Sequence, residues 1–260
     1  MRPRTVGALR HRGRKMQTVV VRSKYFPIPI GEQVDAESEP EREPEREPEP
    51  VLSRPAEQPR ASIDASFDAS FEPPAVVVFD TETTGLRDAH VLQLAYISFD
   101  GAGAEIERYN RIFKLLPGKT IDKGAEDVHK ISMLKTQRDG VEPLPELESF
   151  QRLVWAVTDR GGRVIAHNAD FDVRAVNTTM KAWSRYSTPI QRHLFFCSMK
   201  HSKAYSPLRD RRGAVKAFKN EELYQELFGS PPELGALHDA LVDVRVTAAN
   251  YFEAQRRGWW

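Results

Sequence analysis

The sequence predicts an α/β domain in which helices flank a mixed sheet of five strands. Three strand-like segments follow one another without an intervening helix, and helices and strands then alternate along the chain. This order of elements is typical of a single layered domain with a mixed sheet. Hydrophobic residues make up 40% of the chain, which is enough for a packed core.

The first three strands are expected at the start of the domain. Residues 75–79 are wholly apolar and rich in valine, as is typical of a central strand buried on both faces. Residues 91–99 and 106–116 form two further predicted strands. The glycine-rich turn at residues 100–103 separates them.

The second half of the domain alternates helices with short strands. Apolar residues at helical spacing predict helices over residues 145–158, 171–183, 221–228 and 237–255. Short apolar runs predict strands over residues 164–166 and 194–196. Gly229 and Gly258 follow the last two helices, at the place where glycine commonly ends a helix.

Residues 1–72 are expected to be a disordered extension ahead of a folded domain at residues 73–260. Residues 1–31 form a basic leader, in which residues 1–30 hold eight basic side chains and no acidic one. Residues 32–72 form an acidic linker rich in proline and glutamate, with thirteen acidic residues and four arginines. Repeated prolines and a high polar content leave this extension unable to build a core.

The charge, the cysteine content and the lack of long apolar runs exclude several classes of protein. The 38 basic and 37 acidic residues give a net charge of +1, which argues against a uniformly basic nucleic-acid binder. A single cysteine, Cys197, excludes a disulfide scaffold and favours an intracellular protein. No apolar run approaches the roughly 18 residues of a membrane span, so we expect no membrane association. The basic leader is compatible with an unstructured tail, with import into a nucleus, mitochondrion or plastid, or with nucleic-acid binding, and the sequence does not choose between them.

Carboxylates recur at three places where predicted elements end or begin. Asp80 and Glu82 follow the first strand, and a spacing of two residues puts them on the same side of an extended chain. Asp170 and Asp172 follow the strand at 164–166, and Asp243 lies near the start of the final helix. Several carboxylates brought together are costly unless hard cations neutralise them. Ligation by oxygen alone favours Mg²⁺ or Mn²⁺ over zinc, so the sequence predicts such a metal site.

Three motifs around these acids resemble those of the DEDDh family of 3′→5′ exonucleases. They read Val-Phe-Asp80-Thr-Glu82-Thr-Thr-Gly, Ala-His-Asn-Ala-Asp-Phe-Asp172 and His238-Asp-Ala-Leu-Val-Asp243. Within that family they are most similar to the motifs of the proofreading epsilon subunit of bacterial DNA polymerase III. The likeness runs from about residue 76 to residue 252 and implies a ribonuclease H-like fold.

The resemblance implies a role for each motif residue. It puts ligation of two Mg²⁺ ions, which Mn²⁺ could replace, on four carboxylates: Asp80, Glu82, Asp172 and Asp243. His238 matches the general base of the family. The ligand of the second motif is the aspartate directly after phenylalanine, so Asp170 is expected to be a solvated residue at a helix start. No catalytic role is expected for His129.

The resemblance implies that the substrate is nucleic acid with a free 3′ end, with single-stranded DNA favoured. Seven residues are candidates for substrate contact: Thr83, Leu86, Asn168, Arg209, Arg211, Arg212 and Lys216. Leu86 either inserts between terminal bases or packs in the core. Asn168 either contacts substrate or serves as a structural hydrogen-bonding residue. The four basic residues, within the basic segment at 199–219, either hold backbone phosphates or form a solvated loop.

Three functions stay open at this point. The first is an exonuclease that releases nucleoside 5′-monophosphates from DNA 3′ ends by two-metal-ion hydrolysis. The second is an exoribonuclease of the same family, acting on RNA 3′ ends or short oligoribonucleotides, which a 2′-hydroxyl contact would reveal. The third is an inactive binding module, which the presence of all five motif residues disfavours. A polymerase or another protein could be a partner of any of the three.

Overall fold

A mixed sheet of five strands forms the centre of the fold. The computed structural model describes residues 74–232 and 239–260, so the predicted extension at 1–72 lies outside the described residues. The strands are β1 (Val76–Thr83), β2 (Val91–Phe99), β3 (Glu105–Ile112), β4 (Arg163–Ala166) and β5 (Phe195–Cys197). Their order across the sheet is β3-β2-β1-β4-β5. The predicted α/β fold with a five-stranded sheet is confirmed.

Strand direction in the sheet changes at β1. This strand pairs antiparallel with β2, and β2 pairs antiparallel with β3. On the other side, β1 pairs parallel with β4, and β4 pairs parallel with β5. The carboxyl ends of β1, β4 and β5 therefore meet at one edge of the sheet, where open α/β sheets bind their ligands.

Seven α-helices surround the sheet in the described part of the chain. They are α1 (Lys123–His129), α2 (Met133–Asp139), α3 (Pro143–Asp159), α4 (Ala169–Trp183), α5 (Ser198–Ser202), α6 (Asn220–Phe228) and α7 (Ala240–Arg256). The four predicted helices correspond to α3, α4, α6 and α7. The other three were not predicted, because five to seven residues are too few to show a helical period. None of the helices described is long and apolar enough to cross a membrane.

Three predicted bounds were wrong by three or more residues, and the others differ by at most two. The sequence ended the first strand at residue 79, but β1 continues to Thr83 because its backbone stays paired with β2 as far as Val91. Asp80 and Glu82 are therefore strand residues. The third strand ends at residue 112 rather than 116, since the next residue pairs with Val141 instead. The last helix begins at residue 240 rather than 237, because the side chain of Asp239 caps it.

The core lies on both faces of the sheet. On one face, α3 and α4 pack against Val77 and Phe79 of β1, and on the other face α7 packs against Val78. Alternate residues of a strand point to opposite faces. Asp80 and Glu82 have the same parity as Val78, so the sheet directs both side chains towards α7.

Candidate active site

Three carboxylates meet on the face of the sheet that α7 covers. Asp80 and Glu82 come from β1, and Asp243 comes from the first turn of α7. One carboxylate oxygen from each lies within 4.8 Å of the other two. The three side chains, which we call the acidic cluster, are half-buried.

Asp172 approaches the acidic cluster from α4. It is 3% exposed, and the hydroxyl of Thr81 donates a hydrogen bond of 2.8 Å to its Oδ1 atom. Because Thr81 lies between Asp80 and Glu82 in β1, this bond holds Asp172 beside the cluster. Asp172 is not one of the three acids within 4.8 Å of one another, but its charge raises the pKa of both Asp80 and Glu82.

Burial and mutual repulsion disfavour the charged forms of these acids. Burial is the largest cause that raises the pKa of Asp80, and the charges of Asp172 and Asp243 follow. Burial, then the charges of Asp243 and Asp172, raise the pKa of Glu82 to about 8. Burial raises the pKa of Asp172 to about 7, against the opposing effect of the hydrogen bond from Thr81. A nearby cation would relieve this repulsion.

The donor set fits hard divalent cations. All of the candidate ligand atoms in the described cluster are carboxylate oxygens. Such oxygens suit Mg²⁺ and Mn²⁺, whereas zinc sites are rich in nitrogen and sulfur. The charges that raise the pKa of Asp80 and Glu82 all come from other acids, so an ion would supply the missing positive charge.

The two aspartates of the second motif have different surroundings. Asp172 is buried beside the cluster, whereas Asp170 forms a solvent-exposed ion pair with Lys200 of α5, at 2.5 Å. The hydrogen bond from Lys200 lowers the pKa of Asp170. Asp170 is therefore a surface residue, as predicted, and the structure adds its pairing with Lys200.

Thr83 is the last residue of β1, and Leu86 lies in the turn that follows it. Thr83 is buried, and its hydroxyl donates to the carbonyl oxygen of Gly85 at 3.0 Å. Its own carbonyl oxygen lies 3.1 Å from Nε2 of His129. That nitrogen is the donor, because the amide of Ile131 donates to Nδ1 of the same ring. Thr83 and His129 therefore shape the turn. Leu86 is 72% exposed, so core packing is excluded for it.

His167 and Asn168 follow β4 directly. Nε2 of His167 donates to the carbonyl oxygen of Phe218 at 3.1 Å, and Nδ1 lies 3.0 Å from the hydroxyl of Ser198. Burial lowers the pKa of His167 to about 4, so the ring is neutral at ordinary pH. Asn168 adopts a left-handed conformation, with φ of 81°, which asparagine tolerates better than most residues. Its side chain makes no capping hydrogen bond to α4.

A basic hairpin, residues 206–219, is attached close to the acidic cluster. At its end, the carbonyl oxygen of Phe218 accepts the hydrogen bond from His167. The next residue after the hairpin, Asn220, donates from Nδ2 to the backbone oxygen of Asp243 at 3.2 Å. These two bonds tie the base of the hairpin to the second and third motifs.

The four basic residues predicted to contact phosphates differ in their surroundings. Arg211 and Arg212 are exposed at the tip of the hairpin. Arg209 donates from its guanidinium to two backbone carbonyls of the same segment. Lys216 is already paired, because its ammonium lies 2.7 and 2.9 Å from the two carboxylate oxygens of Glu222. The tip arginines are thus better placed than Lys216 to meet an anion.

Three residues that shape the site were not predicted from the sequence. Thr81 could have been suspected, since it separates the two acids of β1. Lys200 lies in the basic segment at 199–219, but its pairing with Asp170 depends on the packing of α5. Asn220 carries no signal of its own in the sequence, because its bond to Asp243 joins two distant segments. His238, the predicted general base, lies outside the described residues.

The fold is similar to that of several solved nucleases. E. coli exonuclease I, solved in complex with a dT13 oligonucleotide, matches 70% of this chain with a TM-score of 0.57 and 19% identity. Exonuclease I from Methylocaldum szegediense matches 70% with a TM-score of 0.55 and 20% identity. Cell-death related nuclease 4 matches 72% with a TM-score of 0.54 and 19% identity.

These similarities concern the fold and part of each protein. The matched region covers 41% of the E. coli enzyme, 40% of the Methylocaldum szegediense enzyme and 65% of cell-death related nuclease 4. This chain therefore spans about two fifths of the exonuclease I proteins that it matches. No curated protein matches the sequence.

A family model described as an exonuclease, RNase T, matches residues 77–251. The matched stretch takes in more than half of the 260-residue chain. It also contains the acidic cluster, Asp172 and the basic hairpin. The chain therefore belongs to the RNase T exonuclease family.

Proposed function

We propose that this protein is a metal-dependent 3′→5′ exonuclease that releases nucleoside 5′-monophosphates from the 3′ ends of DNA. The observation that carries the proposal is the convergence of Asp80, Glu82 and Asp243 within 4.8 Å, in a chain of the exonuclease family. A proofreading function like that of the epsilon subunit stays a prediction.

The acidic cluster and Asp172 would together hold two Mg²⁺ ions, which Mn²⁺ could replace. When bound, such ions stabilise the negative charge on the scissile phosphate and on the leaving oxygen. The carboxylates of Asp80 and Glu82 are well suited to this, because the paired backbone of β1 fixes their spacing. Thr81 keeps Asp172 oriented through its hydroxyl bond.

His238 would act as the general base and take a proton from the attacking water. The ordinary pKa of histidine, about 6.5, lies close to operating pH, which suits proton transfer. His238 is bonded to Asp239, the residue that caps α7, and it precedes Asp243 by five residues in the sequence. The general base and a proposed metal ligand are thus neighbours in the chain.

Single-stranded DNA is the substrate that we favour. E. coli exonuclease I, similar in fold, was solved with a dT13 oligonucleotide. In this chain, Arg211 and Arg212 are exposed on a hairpin tied to the motifs, and they could contact backbone phosphates. The exposed side chain of Leu86 could stack against a terminal base.

A nuclease assay tests the proposal. The full chain is incubated with end-labelled single-stranded DNA, duplex DNA or RNA, with Mg²⁺ or with EDTA. We expect Mg²⁺-dependent shortening from the 3′ end, fastest on single-stranded DNA, and loss of activity in Asp80→Asn, because an amide is a poor replacement for a carboxylate ligand. Asp170→Asn is the matched control and should stay active. Faster cleavage of RNA would favour the exoribonuclease, and wild-type turnover by Asp80→Asn would refute the metal-dependent mechanism.

A further inference from the structure

Gln93 is a polar residue within a strand whose nine residues are all buried. It lies in β2 directly opposite Glu82 in the antiparallel register, and it is 5% exposed. A buried carboxamide must find hydrogen-bond partners, since burying it without any is costly in free energy. The partners of Gln93 therefore indicate why a polar residue occupies this place.

The carboxamide of Gln93 joins three elements of the fold. Its Nε2 atom donates to Oδ1 of Asn110 in β3 at 2.9 Å, and to Oδ2 of Asp239 at 3.4 Å. An amide nitrogen carries two hydrogens, so both are used. The second bond reaches the start of α7, the helix that carries Asp243.

Asp239 is held through both of its carboxylate oxygens. Oδ2 accepts the bond from Gln93, and Oδ1 accepts from the backbone amide of Leu241 at 3.0 Å, which caps α7. Its charge adds to the repulsion at the acidic cluster, because it raises the pKa of Asp80 and Glu82. The role of Asp239 as the cap of α7 explains why an acid is present here in spite of this unfavourable effect.

We propose that Gln93 is a positioning residue, which fixes the start of α7 by holding Asp239 and so sets the position of Asp243. This inference rests on the proposed function. Asp243 follows Asp239 by four residues, about one turn along the same helix. Gln93 does not touch the substrate and acts only through Asp239.

The choice of glutamine over glutamate follows from the charges around it. A carboxylate at position 93 would face Asp239 without a hydrogen to donate, and it would add another negative charge beside Glu82. Gln93→Glu should therefore release Asp239 and disturb the start of α7. Asparagine at position 239 would restore the bond, because its amide can donate to a glutamate at position 93, and asparagine also caps helices well.

The experiment compares Gln93→Glu, Asp239→Asn and the double variant with the full wild-type chain. Loss of a hydrogen bond to a charged group predicts a decrease in kcat of roughly 10- to 100-fold in each single variant, with little change in KM. The double variant should recover most of that loss. A double variant as slow as Gln93→Glu alone would overturn the proposal.

Gln151→Glu is the matched control, because Gln151 is also a buried glutamine and its Nε2 atom donates to the carbonyl of Thr188. It lies in α3, on the opposite face of the sheet from α7. The Gln151→Glu variant should keep the wild-type kcat even if its melting temperature is lower. An equal loss of kcat in Gln151→Glu would mean that the effect is general destabilisation, and the positioning role would be wrong.

Amide hydrogen exchange separates this inference from the proposed function. In Gln93→Glu the amide of Leu241 should exchange at least tenfold faster than in the wild type, and it should be protected again in the double variant. This readout needs no catalytic activity. If the protein proves inactive on every nucleic acid but the amide behaves as expected, the proposed function fails while the link from Gln93 to α7 stands. Unchanged exchange would overturn the link itself.

Discussion

The acidic cluster keeps like charges together inside the protein, whereas the basic hairpin spreads them over exposed side chains. Burial and the charges of neighbouring acids raise the pKa of Asp80 and Glu82. In the hairpin, Lys216 pairs with Glu222, and Arg211 and Arg212 are surrounded by solvent. Repulsion between partly buried carboxylates therefore calls for a counter-ion, whereas solvent screens exposed cations and their repulsion costs little.

The largest expected effect separates the two aspartates of the second motif. Asp172→Asn should lower kcat by several orders of magnitude, because it removes a proposed metal ligand from the buried side of the site. Asp170→Asn should change kcat by less than about threefold, since surface ion pairs such as that with Lys200 contribute little. Single-turnover cleavage of a labelled oligonucleotide measures both, and the reverse ranking would mean that the ligand of this motif is Asp170.

Removal of the proposed general base should have the next largest effect. His238→Ala is expected to lower kcat by about 10²–10⁴-fold, with substrate binding nearly unchanged, because the ligands and phosphate contacts remain. The wild-type rate should rise with pH as histidine loses its proton, near its ordinary pKa of about 6.5. That rise should be absent from the pH–rate profile of the variant. An unaltered profile would assign the titration to another group.

The acidic cluster should make the metal-free protein less stable as pH rises. Glu82 and Asp172 have pKa values of about 8 and about 7 in the folded protein, above the ordinary values of about 4. The folded state therefore binds more protons than the unfolded state across that window. Its free energy of unfolding falls from about pH 4 to about pH 8, by up to about 1.4 kcal/mol per pH unit for each group.

Melting curves in EDTA and in Mg²⁺ test this pH dependence. The melting temperature in EDTA should decrease from pH 5 to pH 8, and saturating Mg²⁺ should flatten the decrease. Asp243→Asn removes one of the repelling charges and should reduce the slope in EDTA. Asp170→Asn should leave it as in the wild type. Identical slopes with and without Mg²⁺ would argue against a cation at the cluster.

Removal of the basic side chains of the hairpin should have a smaller effect, to which each lost phosphate contact adds separately. Replacement of Arg209, Arg211, Arg212 and Lys216 by alanine should raise KM for every sequence alike and leave kcat at saturation near the wild-type value. Each lost phosphate contact should flatten the log–log salt dependence of single-strand binding by about 0.7. Lys216→Ala alone should change this slope least, because Lys216 is already paired with Glu222. A salt slope unchanged in the quadruple variant would refute the phosphate contacts.

The smallest effect is expected from removal of residues 1–72, which belong neither to the acidic cluster nor to the basic hairpin. A chain that begins at Pro73 should match the full chain in kcat on a short oligonucleotide, because the repeats of residues 41–48 cannot build part of a core. Circular dichroism would verify that the shortened chain is folded. A large loss of kcat in a folded chain would show that the extension contributes to the site.

The fold class and the convergence of several acidic residues could be predicted from the sequence alone. Apolar runs and helical spacing predicted five strands and the four longer helices, because buried faces repeat at the periods of strands and helices. The positions of acidic residues at the ends and starts of elements predicted that Asp80, Glu82, Asp243 and the acids of the second motif converge, and the structure brings the first three within 4.8 Å of one another. The three helices of five to seven residues were missed, because they are too short to show a period.

The hydrogen-bond partner of each polar side chain could be read only from the folded structure. The bonds from Thr81 to Asp172, from Asn220 to Asp243 and from Gln93 to Asp239 each join segments that lie far apart in the chain. Local sequence carries no signal for such pairs, because their geometry depends on how whole strands and helices pack. For the same reason, the sequence grouped Lys216 with Arg211 and Arg212, and only the folded chain distinguishes a paired lysine from exposed arginines.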